Sequence, residues 1–135
     1  MTPAATRLAS HYDQVVFFNT QTSTFNSIQV KNVYNYSDAK AKENIQSLSQ
    51  SLSILKLLRP VSYNFTDNSD NTKFRKGGDG KEIGLLAQEV EQVLPNIVLT
   101  DPDGNKLINY TSLIAVLIDA VKDLNEKVSA LEAQQ

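Results

Sequence analysis

A heptad pattern at the carboxyl end restricts the fold of this chain more than any other feature. Its a and d positions are apolar and step by three and four residues: Ile114, Leu117, Val121, Leu124, Val128 and Leu131. β-Branched residues at a and leucine at d are typical of helices that pack together along one seam. Lys127 at a g position and Glu132 at the following e position have the spacing of an interchain ion pair. The pattern therefore predicts a coiled-coil helix over residues 113–135 that associates with other copies of the chain.

Two alternatives to this association remain open from the residues alone. About three heptads is short for an isolated coiled coil, so the seam could instead pack against other elements of the same chain. Valine and isoleucine at a with leucine at d also favour two strands rather than three.

Composition excludes several classes of chemistry. The chain of 135 residues has no cysteine, which excludes disulfides, thiolate catalysis and cysteine-ligated zinc. His11 is the single histidine, so a metal site built on several imidazoles is excluded as well. The net charge is −2 with scattered basic residues, and no apolar run approaches the ~20 residues that span a bilayer. The sequence therefore predicts no metal, no cofactor, no nucleic acid and no membrane partner.

The amino-terminal region is rich in valine, phenylalanine, threonine and tyrosine, which favour strands. We predict strands at residues 14–19 and 24–33, joined by a turn at 20–23. Two strands cannot bury both faces alone, so they need more strands, other subunits or an upstream β-structure. Residues 1–36 are accordingly interpreted as a linker or as the end of such a structure.

Residues 37–112 alternate between short helices and strands, which predicts a globular α+β domain. The expected elements are a helix with an apolar stripe ended by Pro60, a strand at 61–65, a strand at 83–85, a short helix closed by Pro95, and a hairpin over 96–110. The stripe of the first helix consists of Ile45, Leu48, Leu52 and Leu55, and that of the second of Leu86, Val90, Val93 and Leu94. Glu89 and Glu91 are interpreted as a solvated face. The polar loop 66–80 alone suggests a further interpretation, a sugar-binding surface.

Ser37 and Lys42 form the candidate catalytic pair. A serine hydroxyl needs a base to become a nucleophile, and a lysine can serve when its amine is neutral. If Asp38 caps a helix, Ser37 precedes the cap and Lys42 is the fourth helical residue, two positions that a hydrophobic staple brings into contact. The free N–H groups of that helix start could hold an oxyanion. The less specific interpretation is an ordinary capped helix with Lys42 in water.

Four segments, in order and spacing, resemble the intramolecular chaperone domain of phage endosialidases, also called the peptidase S74 family. They are SDAKAKENIQSL, LLRPVSYNF, IGLLAQEVEQVLPNIV and DGNKLINYTSLIAVLIDAVKDLNEKV. They extend from about Tyr36 to Val128. The family occurs at the carboxyl ends of phage tail spikes and fibres, and in a membrane-bound eukaryotic transcription factor.

The resemblance implies a homotrimerisation domain that assembles an upstream β-rich fibre and then cuts itself off with a serine–lysine dyad. Ser37 and Lys42 match the family's serine and lysine, Asp38 matches its Ser-Asp pair, and the scissile bond would be Tyr36–Ser37. The family usually has arginine and a larger apolar residue where this chain has Lys40 and Ala41.

The implied setting is a virion tail fibre or spike precursor assembled in the host cytoplasm, or a bacterial surface fibre. The coiled coil would then be a trimer. The alternative is a trimerisation or attachment tip that does not cleave and stays on the fibre.

Overall fold

The computed structural model describes residues 6–10, 13–66, 78 and 80–134. Within them the fold is α+β, as predicted, with short strands in two-stranded antiparallel sheets and a long carboxyl-terminal helix. The described parts of Met1–Ser37 and Asn64–Gly80 form one compact unit, and those of Asp38–Tyr63 and Lys81–Gln135 form a second. No helix in this described part of the chain is long and apolar enough to cross a membrane. His11 and nearly all of the predicted loop 66–80 lie outside the described residues.

The first unit contains one tight hairpin, made of β1 (Phe18–Asn19) and β2 (Thr24–Phe25). The Asn19 side chain closes the turn, because its Oδ1 accepts the N–H of Gln21 at 2.9 Å. Phe18 and Phe25 pack edge to face across the strands, with ring centroids 5.5 Å apart. The predicted strands 14–19 and 24–33 are wrong in length. Beyond the hairpin, residues 27–33 have no neighbouring strand among the described residues to complete a ladder.

The second unit contains two hairpins and a short helix between them. β3 (Val61–Tyr63) pairs with β4 (Glu82–Gly84), and β5 (Val98–Thr100) pairs with β6 (Lys106–Ile108). α2 (Ala87–Val93) packs against β5 and β6 and buries Val90 completely. These elements confirm the predicted strands, the short helix before Pro95 and the carboxyl-terminal hairpin.

Gly84 lies where the hydroxyl of Tyr110 approaches the β4 backbone. The Tyr110 hydroxyl oxygen accepts the N–H of Leu85 at 2.9 Å. A Cβ on Gly84 would lie 2.7 Å from that oxygen, closer than van der Waals contact allows. A strand glycine at a point of close approach is therefore required for this contact.

We expect Gly84→Ala to lower the free energy of unfolding by roughly 1–3 kcal/mol, because the hydroxyl must be displaced. Urea unfolding followed by circular dichroism measures the loss. Tyr110→Phe alone should cost about 1 kcal/mol, since the Leu85 N–H loses its acceptor. In the Tyr110→Phe background, however, Gly84→Ala should cost much less. An equal cost in both backgrounds would show that the hydroxyl is not the obstacle.

The turn between β5 and β6 is held by the side chain of Asp101. Its Oδ1 accepts the N–H of Asn105 at 2.8 Å and the N–H of Asp103 at 3.0 Å. Gly104 has a φ of 84°, a left-handed conformation that glycine adopts without strain. The hydrogen bond from the Asn105 backbone is the main reason that the pKa of Asp101 is held below its ordinary value of 3.8.

The turn should therefore lose stability in acid. Because the folded pKa is lowered, the contribution of the Asp101 charge is fully present above the ordinary carboxyl pKa and is lost as the pH falls through the lowered value. We expect wild type to exceed Asp101→Asn in urea midpoint at about pH 6, and the difference to vanish at about pH 2. The amide keeps an oxygen for the two backbone N–H groups, but its NH2 cannot accept from Asn105 Nδ2, so the substitution removes the charge together with that side-chain hydrogen bond. A difference that does not change with pH would contradict this account.

The second unit also contains two α-helices that pack together, α1 (Ser51–Leu55) and α3 (Ser112–Ala133), and two 3-10 turns, Ala39–Ala41 and Pro95–Ile97. The helix predicted before Pro60 is shorter than expected, and the helix that Asp38 was expected to cap is only a 3-10 turn. Asn44 and Gln50 have φ values of 55° and 61°, and this left-handed conformation interrupts an α-helix. Its predicted apolar stripe divides accordingly: Leu52 and Leu55 are partly buried on α1, whereas Ile45 and Leu48 lie exposed in irregular chain.

Candidate functional site

A single 3-10 turn, Ala39–Ala41, follows Ser37 and has Asp38 as its N-cap. The Asp38 Oδ1 accepts the N–H of Lys40 at 3.1 Å, and its backbone carbonyl accepts the N–H of Ala41 at 3.0 Å. The Asp38 Oδ2 also lies 3.7 Å from Nζ of Lys40, in a solvent-exposed ion pair. Asp38 thus stabilises the turn through both its side chain and its backbone.

Lys42 ends this turn in an extended conformation, with φ −118° and ψ 145°. The prediction that Lys42 is the fourth residue of a longer helix is therefore wrong. With one 3-10 turn in place of an α-helix, the row of free N–H groups expected to hold an oxyanion is reduced to the start of that turn. Ser37 ends the first of the two segments of the first unit, Lys42 belongs to the second unit, and both are exposed to solvent. Their catalytic pairing stays a prediction, as does Tyr36–Ser37 as the cleaved bond.

α3 has two apolar faces, one buried within the second unit and one exposed to solvent. Leu113, Val116 and Ala120 are buried inside the second unit, at 9%, 5% and 3% exposure. The predicted seam lies on the adjoining face, where each of its residues is between 44% and 62% exposed: Ile114, Leu117, Val121, Leu124, Val128 and Leu131. The seam therefore does not pack within the described chain, which removes the intrachain alternative for these residues.

Ile118, at an e position, widens this exposed face near the start of α3 and was not identified from the heptad pattern. It lines a shallow apolar groove together with Ile114, Leu117, Val121 and Lys122. With 22 residues, α3 is ~33 Å long, so the seam extends well beyond the buried part of the helix.

Two ion pairs connect the helix α2 to other elements of the second unit. Arg59 donates two hydrogen bonds to Glu89, at 2.7 Å and 3.4 Å. The hydrogen bond from Arg59 lowers the pKa of Glu89, and the same contact raises the pKa of Arg59. Lys106 Nζ donates to Glu91 at 3.1 Å and to Thr100 at 2.8 Å. Glu89 and Glu91 are both partly exposed, and each also has a cationic partner that was not identified from the sequence.

Residues 37–99 match the model of one protein family, described as chaperone of endosialidase. This segment belongs to the chaperone-of-endosialidase family. The chaperone match begins at Ser37, the residue after the predicted scissile bond, and ends within β5. It contains the Asp38 turn, both partners of the Arg59–Glu89 pair and the helix α2, whereas α3 lies beyond it.

The matched segment 37–99 and the residues on either side of it are also similar to long tail fibre proteins of phages. The chain is 32% identical over 124 residues to "Long tail fiber protein Gp37" of Enterobacteria phage K3, and equally similar to that of Enterobacteria phage T2. It is 31% identical over 108 residues to the Gp37 of Escherichia phage AR1. The first two matches take in 87% of this chain and the third 76%. This chain spans 9% of the length of these relatives.

Proposed function

We propose that this chain is the intramolecular chaperone of a phage tail fibre. Residues 37–112 and the coiled-coil helix 113–135 hold three copies in register while the upstream β-rich fibre, which ends within residues 1–36, folds. The chaperone then releases itself by cutting Tyr36–Ser37. The observation that carries the proposal is the apolar seam of α3, exposed on a segment adjoining a chaperone-family match. The similarity to tail fibre proteins supports the fibre as the client and the virion tail as the destination.

The physical need for such a chaperone follows from the client. Parallel fibres of β-structure depend on contacts between distant residues and between chains, which form slowly and with errors. A helix that trimerises first holds the three upstream segments close together and raises their effective concentration. Cleavage would then remove the chaperone and leave the fibre trapped by a high unfolding barrier.

The shape of the exposed face supports three copies rather than two. In a dimer each helix has one neighbour and the a/d stripe is sufficient. In a trimer each helix has two neighbours and buries a wider arc, which the exposed Ile118 beside the seam provides. Lys127 and Glu132 are spaced for ion pairs between adjacent helices of a parallel bundle.

The proposed cleavage uses Ser37 as nucleophile and Lys42 as base. The neutral Lys42 amine takes the hydroxyl proton as Ser37 Oγ attacks the carbonyl carbon of Tyr36. The Tyr36–Ser37 C–N bond breaks, the Ser37 nitrogen leaves with a proton, and Tyr36 is held as an ester on Oγ. Water hydrolyses that ester, which leaves a carboxylate on Tyr36 and restores the serine hydroxyl.

Two observations support this site. The family match begins at Ser37, so a cut before it would separate the chaperone from its client at the edge of the family segment. Asp38, the second residue after the scissile bond, is fixed as the cap of the 3-10 turn, which restrains the backbone on the leaving side. Mass spectrometry of freshly purified protein tests the proposal, because cleavage produces a fragment from Ser37 to Gln135.

A second candidate function is a trimerisation or attachment tip that stays on the fibre. The exposed seam supports it equally, since assembly does not depend on cleavage. It predicts one full-length mass at every time point.

A further inference from the structure

Residues 27–36, here called the upstream segment, connect the β1–β2 hairpin to Asp38 and have the side-chain pattern of a strand. Ile28, Val30, Tyr34 and Tyr36 are spaced by even numbers of residues, so in an extended chain they share one face, on which Asn32 is the only polar amide. The opposite face is polar apart from Val33. Such alternation is typical of a strand with one buried side.

The backbone of the upstream segment has no strand partner among the residues that the structure describes. The last hairpin bond runs from the N–H of Asn26 to the carbonyl of Phe17, at 2.8 Å. Beyond it, residues 27–36 form no helix and no strand ladder with any residue that the structure describes. Backbone N–H and C=O groups outside a helix or a strand ladder form hydrogen bonds with water or with another chain.

The apolar side chains of the upstream segment are also exposed to solvent. Ile28, Val30, Val33, Tyr34 and Tyr36 are each more than half exposed, and Tyr34 reaches 90%. Lys31 is the single charged residue between Asp13 and Asp38, and that stretch has neither proline nor glycine. A long, nearly uncharged and apolar strand edge readily pairs with further strands, and natural proteins cover such edges.

We propose that the upstream segments of neighbouring copies pair with one another as β-strands and bury the Ile28, Val30, Tyr34 and Tyr36 face between them. One lysine per copy opposes this pairing only weakly. Each segment is joined to its own chaperone domain, so association through α3 brings identical segments together at high effective concentration. The matches to tail fibre proteins cover 87% of this chain, so they include the residues just before Ser37. The inference rests on the proposed assembly of several copies and adds a second interface to it.

Amide hydrogen exchange on the full chain tests the pairing, with Ser37→Ala included so that the upstream segment stays attached. We expect the amides of residues 27–36 to exchange at least about tenfold more slowly in the oligomer than in a monomeric variant with a disrupted α3 seam. Equal exchange rates in an oligomer would overturn the inference and leave the proposed chaperone intact. If no oligomer forms, both fail.

Val30→Pro separates the two interfaces. The substitution removes an N–H that has no ladder partner within the described chain, so the hairpin and the second unit should keep their structure. We expect protection of residues 27–36 to be lost while light scattering still shows the oligomer. Val30→Thr is the matched control, because it keeps the N–H and the β-branched shape and should keep the protection. Unchanged protection in Val30→Pro would show that strand pairing is not its source.

Discussion

Replacing both Leu117 and Leu124 by alanine is expected to convert the oligomer into monomers. Both side chains are about half exposed in the single chain, so their loss should leave the second unit folded. In the assembly each would be buried at a d position, where Leu→Ala typically costs roughly 2–5 kcal/mol. Since about 1.4 kcal/mol is a factor of ten, two such losses per chain should weaken association by at least a thousandfold. Light scattering coupled to size-exclusion chromatography measures the mass directly.

The buried face of α3 provides the control for this prediction. Val116→Ala removes apolar volume inside the second unit, so it should lower the free energy of unfolding more than it weakens association. Ser129→Ala, on the exposed surface of α3 outside the seam, should change neither. The double leucine variant keeping the mass of wild type would rule out the seam as the interface. In wild type, the unfolding midpoint should also rise with protein concentration, as it does when folding is linked to assembly.

Ser37→Ala and Lys42→Ala should each abolish the fragment that begins at Ser37. Without the hydroxyl there is no nucleophile, and without the amine there is no base to activate it. Removing one residue of a catalytic pair typically lowers the rate roughly a thousandfold or more. No fragment should therefore accumulate within the time in which wild type reacts completely. Mass spectrometry at intervals after purification follows both species.

Lys40→Ala is the matched control for the lysine. It removes a neighbouring cation and its ion pair with Asp38, while the Asp38 side chain still accepts the backbone N–H of residue 40. Cleavage should stay within a few fold of wild type. A fragment that persists in both Ser37→Ala and Lys42→Ala would exclude the dyad. If wild type itself gives only the full-length mass, the retained tip becomes the better description.

Local sequence signals predicted the local elements of this fold well. The heptad spacing predicted the 22-residue helix α3, because amphipathic periodicity is carried by neighbouring turns. The hairpin predicted over 96–110 has its turn at the Asp-Pro-Asp-Gly-Asn sequence, where Asp101 makes its hydrogen bonds within four residues. Pro95 likewise marked the end of α2.

The helical prediction failed after Asp38 for a different reason. The spacing of Ile45, Leu48, Leu52 and Leu55 satisfies a helix, yet the backbone leaves that conformation at Asn44 and Gln50. α1 packs on α3, whereas Ile45 and Leu48 stay exposed, so burial does not favour a helix through these two residues. The consequence for the candidate site is direct: Lys42 ends a short turn instead of lying inside a helix.

The sequence by itself determined the register of the α3 seam, the β5–β6 turn and the positions of Ser37 and Lys42 along the chain. It also showed that the upstream segment has the pattern of a strand. Tertiary structure alone decided which apolar face of α3 is internal, that Tyr110 requires a glycine at position 84, and that Glu89 pairs with Arg59. Periodicity and turn chemistry involve residues that are close together in the sequence, so they can be recognised from the sequence alone. Contacts between residues 25 to 30 apart depend on how the elements pack.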